Sequence, residues 1–295
     1  IPYEYTGVRT FESMRLLGKP VSVESVEEPV PLSPADQARP RLNIIRERGS
    51  IRVGYLADTL PYAFRNDKNK VVGFDMEMLH ALGRDLGIKI ELTRLKNRKT
   101  EPQMLTDGRI DIIIGGNTIT PVRALDVEFS DPYTYNTAGF IVTDAKRDEF
   151  SSIDNIRAMK SLNLGMLDNA YYKKVAQDLL PNANLIPVES PRKYFKGQYK
   201  NIDAFVYSAE AGSAWAMLYP GYSAVVPKGL KLKAPVAFML PKGQLEYGQF
   251  INTWLELKKD NGYLKKVYNY WILGKNPQAK KARWSVMHNV LGWKI

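Results

Sequence analysis

The sequence predicts an α/β architecture of two lobes, and three observations predict it. Strand-length apolar runs alternate with helical patterns from Ile51 to Ile114, as in a parallel sheet with crossover helices. The same alternation starts afresh after residue 138. Pro235 to Leu240 then reads as a strand returning to the first region. The expected organisation is therefore an N-terminal arm over 1–40, lobe 1 over 41–138 plus 234–273, lobe 2 over 139–233, and a C-terminal tail over 274–295 packed on lobe 1. Two crossing strands between two lobes make a hinge and a cleft.

Each element has its own signal. In the arm, Pro29, Pro31, Pro34 and Pro40 punctuate a stretch holding Glu24, Glu27 and Glu28, which reads as extended or linker chain. Its Tyr3, Tyr5, Phe11 and Leu16 offer apolar surface for packing on the body. Leu42 to Arg48 predicts a helix ended by Gly49. Ile51 to Tyr55 is a strand and Asn66 to Asn69 a turn. Val71 to Asp75 opens a helix with Met76, Leu79, Leu82, Gly83 and Leu86 on one face, closed by Gly87. Ile88 to Leu92 is the next strand, Thr100 to Thr106 a helix capped by Gly108, and Ile110 to Ile114 the third strand. Lobe 2 is expected to hold strands over Gly139 to Thr143, Leu162 to Leu167, Leu185 to Val188, Ile202 to Tyr207 and Tyr222 to Val226. Its helices run over Ile153 to Met159 and Tyr171 to Leu179. Leu245 to Lys258 and Gly262 to Ile272 are helices with apolar faces. In Ala282 to Ile295, Trp284, Val286, Val290, Leu291 and Trp293 predict a docked helix or arm.

Composition narrows the function classes. The 295 residues, 44% hydrophobic, suffice for one large domain or two modest ones. No apolar run is long enough for a membrane span. With no cysteine, a disulfide framework or thiolate site is excluded. The start at Ile1 rather than Met is expected of a processed product, separated from a signal peptide or an upstream membrane segment. A net charge of +11 favours acidic partners. The charges are scattered, however, and no array of basic and aromatic residues marks a nucleic-acid module. His80 and His288 are the only histidines, too few for a His/Cys metal site. No phosphate loop, dinucleotide fingerprint or nucleophile elbow is present. No metal, cofactor or nucleic acid is expected.

The stretch with the most chemistry is Gly115-Gly116-Asn117-Thr118-Ile119-Thr120-Pro121-Val122-Arg123. Thr120 suits an N-cap and Pro121 the first helical position. Arg123 is then the third helical residue, where a cation opposes the helix dipole. The placement makes sense if an anion sits there, held by backbone N–H groups and the guanidinium. A solvated arginine on a short surface helix is the other reading.

The run Ile51 to Tyr55, Pro61-Tyr62, Gly73-Phe74-Asp75, Gly108-Arg109-Ile110-Asp111, Thr118 to Arg123 and Phe129-Ser130-Asp131-Pro132-Tyr133 resembles bacterial solute-binding proteins of family 3. Those are periplasmic amino-acid-binding proteins with the two-lobed type II periplasmic binding fold. The resemblance spans roughly 42–273. It implies that Arg123 forks onto a ligand carboxylate, that Thr118 gives its hydroxyl and N–H to the same group, and that the Gly116 carbonyl meets the ligand ammonium. It places Tyr62 at the cleft edge. It also implies that Asn169 or Ala170, after Asp168, offers backbone N–H groups to the carboxylate; an ordinary helix cap is the other reading of that turn.

Other positions depart from the family pattern. Ser208 stands where an acid usually takes the ammonium, with Glu210 the nearest substitute. Leu56 stands where basic-ligand binders carry an acid. Arg98, flanked by Asn97 and Lys99, replaces an aromatic that stacks on the ligand. All three changes shift the pocket towards positive charge, which favours a second ligand carboxylate facing Arg98; a shift of the alignment near 95–100 is the other reading. Asp203 is expected to be structural. The function implied is a monomeric, periplasmic, non-catalytic module. It would capture a carboxylate-bearing small molecule, an amino acid or organic di-acid, and present it to a membrane transporter or receptor. The alternative is a cyclohexadienyl dehydratase-like enzyme on the same scaffold, with Glu210 as a general acid.

Overall fold

Parallel strands cannot be joined by tight turns, so the parallel steps of this chain need crossovers. The structure, a computed structural model, describes residues 13–168 and 170–275. The expected tail therefore lies, but for residues 274 and 275, outside the described residues, as do Tyr3, Tyr5, Phe11 and His288. The chain forms two compact units, a first of Met14–Thr134 with Pro235–Trp271 and a second built on Tyr135–Ala234.

The first unit opens with β1 (Val23–Ser25), α1 (Pro34–Gln37), α2 (Arg41–Arg48) and β2 (Ser50–Leu56). β3 (Phe64–Arg65) and β4 (Val71–Val72) form a small hairpin, and α3 (Phe74–Leu86), β5 (Lys89–Leu95), α4 (Glu101–Thr106) and β6 (Ile112–Thr118) follow. α5 (Pro121–Ala124) and β7 (Glu128–Phe129) lead out of it. β1, β5, β2 and β6 pair side by side in parallel.

The second unit holds β8 (Thr134–Thr143), α6 (Ile153–Arg157), β9 (Leu162–Met166), α7 (Ala170–Leu179), β10 (Ala183–Pro187), α8 (Pro191–Phe195), β11 (Ala204–Ser208), α9 (Ala209–Leu218) and β12 (Tyr222–Val225). β10, β9 and β11 are parallel, and β8 lies antiparallel between β11 and β12. Phe140, Phe150, Leu162 and Leu164 centre its core.

β13 (Lys233–Leu240) re-enters the first unit antiparallel to β6 and β7, and α10 (Leu245–Asp260) and α11 (Tyr263–Trp271) finish it. The β6–β13 register pairs Asn117 with Ala237 but Ile113 with Met239, so residues 114–116 stand opposite Phe238 alone. That irregularity carries the Gly115–Gly116 turn.

Two differences from the sequence reading have clear physical reasons. Residues 14–40 are stitched into the first unit rather than left as an arm. Glu77 on α3 accepts the Leu17 and Gly18 N–H groups at 2.7 and 2.9 Å, and His80 Nδ1 accepts that of Val21 at 3.2 Å. β1 then adds a strand edge beside β5. The prolines that suggested a linker flank these contacts and do not interrupt them. The second difference is α9, where the reading placed no element. Nine of its residues, from Ala209 to Met217, are buried. A helix buried all round carries no polar face, so its sequence shows no amphipathic alternation.

Candidate functional site

The Gly115–Gly116 turn is built by close approach. Gly115 has φ +121° and Gly116 φ +67°, a region side chains other than glycine rarely adopt. A Cβ on Gly116 would stand 2.3 Å from the Tyr62 ring, and one on Gly115 2.8 Å from Thr59 Oγ1. Asp75, the second residue of α3, fastens this turn. Its Oδ2 accepts the N–H groups of Gly115 and Gly116 at 2.7 and 2.9 Å, and its Oδ1 accepts the Tyr133 hydroxyl at 2.7 Å. Burial pushes the Asp75 carboxyl up to about 6, against the pull of those three donors. Phe74 stacks on Tyr133 and meets Tyr62 edge-on. Tyr62, expected to line the cleft, is 3% exposed. Its place is in this aromatic wedge, with its carbonyl taking the Asp75 N–H at 3.0 Å.

Beyond the turn, Thr120 caps α5 and accepts the Arg123 N–H at 3.3 Å, with Pro121 in the first turn as the sequence predicts. The half-buried Arg123 donates from Nη1 to the Thr118 carbonyl at 3.2 Å. This fixes the guanidinium beside Thr118, at a helix start where Thr120 also takes the Arg123 and Ala124 N–H groups.

Arg98 has an acidic neighbour, Glu101. Its Nη1 donates to Asn117 Oδ1 at 3.3 Å and lies 3.8 Å from Glu101 Oε1. Glu101 opens α4 on its buried face with Met104 and Leu105, and its Oε1 has no hydrogen-bond partner. Burial raises its carboxyl, with Arg98 and then Arg123 opposing that rise. The expected excess of positive charge around Arg98 is therefore offset by an acid within the same unit. The signal was legible: Glu101, Met104 and Leu105 follow the i, i+3, i+4 spacing of a core-facing stripe, and an acid on that stripe needs a reason.

The remaining candidates fall in the second unit. Ser208 caps α9, its hydroxyl accepting the Ala211 N–H at 3.2 Å. Glu210, 3% exposed, accepts the Thr137 N–H at 2.8 Å, and burial raises its carboxyl. Ala170 is the first residue of α7; Asn169 lies outside the described residues. Asp203 bonds Lys146 Nζ at 2.6 Å and the Asn163 N–H at 2.8 Å, a set of contacts internal to the fold. No helix among the described residues is long and apolar enough to cross a membrane.

A family model, bacterial extracellular solute-binding proteins of family 3, matches residues 51–274. This chain belongs to that family. The arginine-binding extracellular protein ArtP of Bacillus subtilis is 26% identical over 75% of this chain and 86% of its own length. Cyclohexadienyl dehydratase of Pseudomonas aeruginosa is 24% identical over 81% and 88%. The crystal structure of the ancestral amino acid-binding protein AncCDT-1, described as a precursor of cyclohexadienyl dehydratase, superposes with a TM-score of 0.68 at 28% identity, covering 78% of this chain and 99% of that one. The fold is thus the type II periplasmic binding fold.

Proposed function

We propose that this family member is a non-catalytic periplasmic module that captures a carboxylate-bearing small molecule, an amino acid or organic di-acid, and presents it to a membrane transporter or sensor. The observation that carries the reading is Arg123, third residue of a Thr-capped helix, tethered to the Thr118 carbonyl. A guanidinium held in place beside Thr118 is suited to forking onto a carboxylate. Gly116, its N–H already taken by Asp75, would present its carbonyl to a ligand ammonium. The relatives named for amino acids, and for arginine in particular, support the amino-acid member of the class.

Arg123→Ala should abolish ligand binding and leave the fold intact, a loss of roughly 3–5 kcal/mol as for a buried charge pair broken on one side. Native mass spectrometry of the purified protein would name the ligand, and calorimetry with that ligand decides the claim: unchanged affinity in Arg123→Ala refutes it.

A second reading rests on Glu210, a buried carboxyl raised by its surroundings, and on the dehydratase relative. Its carboxylate is engaged with the Thr137 N–H inside its own unit, which favours a structural role. No phenylpyruvate is expected from prephenate, and no phenylalanine from arogenate. A rate that disappears in Glu210→Gln would establish the enzyme instead.

A further inference from the structure

Glu101 is a buried carboxylate in a place where a core residue would do. It shares the inner face of α4 with Met104 and Leu105, is 2% exposed, and carries an oxygen without a hydrogen-bond partner. A desolvated carboxylate of this kind is costly unless nearby charge compensates it. Partial compensation comes from two arginines: Arg98, whose Nη1 is 3.8 Å away, and Arg123, whose charge also acts on this carboxylate against its burial. Arg98 is also tied to Asn117 Oδ1 at 3.3 Å, one residue before Thr118. The three charged groups sum to one positive charge, where Arg98 and Arg123 alone would present two.

We propose that Glu101 is a specificity-determining residue of the carboxylate site, cancelling the charge of Arg98 so that the site accepts one ligand carboxylate and rejects a second. The proposal rests on Arg123 receiving the ligand carboxylate and narrows the ligand class from carboxylates in general to monocarboxylate amino acids. A di-acid would bring its second carboxylate towards an arginine already neutralised and towards the negative oxygen of Glu101. Selectivity of this kind comes from a repulsive element as much as an attractive one.

Glutamine and glutamate test it, because they match in shape and differ by one charge. Calorimetry is run on the wild type and on the Glu101→Gln, Glu101→Asp and Arg123→Ala variants, each checked for an intact melting transition. In the wild type, glutamine should bind at least about tenfold more tightly than glutamate, a gap of about 1.4 kcal/mol. Glu101→Gln, which keeps the side chain's shape and removes its charge, should reduce or invert that ratio by about tenfold. Glu101→Asp should retain the preference, which separates charge from packing. Equal wild-type affinities, a ratio unchanged in Glu101→Gln, or no binding of either probe at millimolar concentration to both proteins would overturn the proposal. Arg123→Ala separates the two claims. If it binds both probes as the wild type does, the carboxylate-site reading fails; if it loses both while the ratio is unmoved by Glu101→Gln, only the role of Glu101 fails.

Discussion

Among the buried carboxylates, Asp75 and Glu101 of the first unit and Glu210 of the second are held in three different ways. Asp75 is saturated by short bonds from two backbone N–H groups and a tyrosine hydroxyl, all from segments distant in sequence. Glu210 takes one N–H from the strand beside its helix. Glu101 has an oxygen with no hydrogen-bond partner, and arginine charge opposes its burial. A saturated carboxylate is a rivet, because removing it strands every donor it held. A carboxylate held mainly by charge is a different device: it sets the local potential, and its loss is felt by whatever charge comes next. The first unit therefore fastens its glycine turn with Asp75 and leaves Glu101 to electrostatics. The acid of the second unit pins a helix start to a strand.

Removing the rivet should have the largest effect. Asp75→Ala leaves the Gly115 and Gly116 N–H groups and the Tyr133 hydroxyl buried without an acceptor, a loss on the order of 3 kcal/mol or more. A shift of under about 1 kcal/mol in the urea-denaturation midpoint would show that the turn holds itself.

The titration of α3 sharpens the contrast within one helix. Asp75, pushed up to about 6, stabilises the fold fully below about pH 4 and loses that contribution as the pH rises through about 6. His80 is held down to about 4, chiefly by burial, with Arg84 adding to it. Its contribution is present above about pH 6.5 and is lost as the pH falls through about 4. The two slopes oppose each other between these limits. Asp75→Asn keeps one oxygen for the two glycine N–H groups, puts an NH2 donor before the Tyr133 hydroxyl and removes the titration, so the stability of wild type minus variant should fall by on the order of 2–3 kcal/mol from pH 4 to 6.5. For His80→Gln the same difference should rise by a similar amount. Urea titrations at the two pH values read both, and a difference independent of pH in either variant contradicts the assignment.

The second unit's acid should matter less. Glu210→Gln retains an acceptor for the Thr137 N–H and should cost about 1 kcal/mol, seen as a small drop in Tm with no change in ligand affinity. A loss of affinity would instead bring Glu210 into the site. Smallest of all are the caps. Thr120→Ala and Ser208→Ala should each cost about 0.5–1 kcal/mol. Thr120→Ala should also weaken ligand binding several-fold, because it loosens the helix that carries Arg123. If Ser208→Ala weakens binding more than Thr120→Ala does, Ser208 acts on the ligand directly and not merely as a cap.

What the sequence determined by itself is whatever depends on near neighbours along the chain. The alternation of strand and helix is legible because apolar spacing reports the period of each element. The Thr120-Pro121 helix start and the position of Arg123 are legible because capping is a matter of three or four residues. The sequence pattern places the two crossings near 138 and 234, where the strand pattern ends and restarts. Tertiary structure alone decided which groups meet. Asp75 reaches glycines some forty positions away only because α3 packs beside β6. Residues 14–40, proline-rich and apparently a linker, belong to the first unit because Glu77 and His80 wait for their N–H groups. α9 hid because a fully buried helix has no polar face to mark its period. The charge balance around Arg98 reversed in meaning because Glu101 lies 3.8 Å from it on the inner side of α4. Periodicity fixes which way a side chain faces, whereas the partner it faces is set by how distant segments pack against one another.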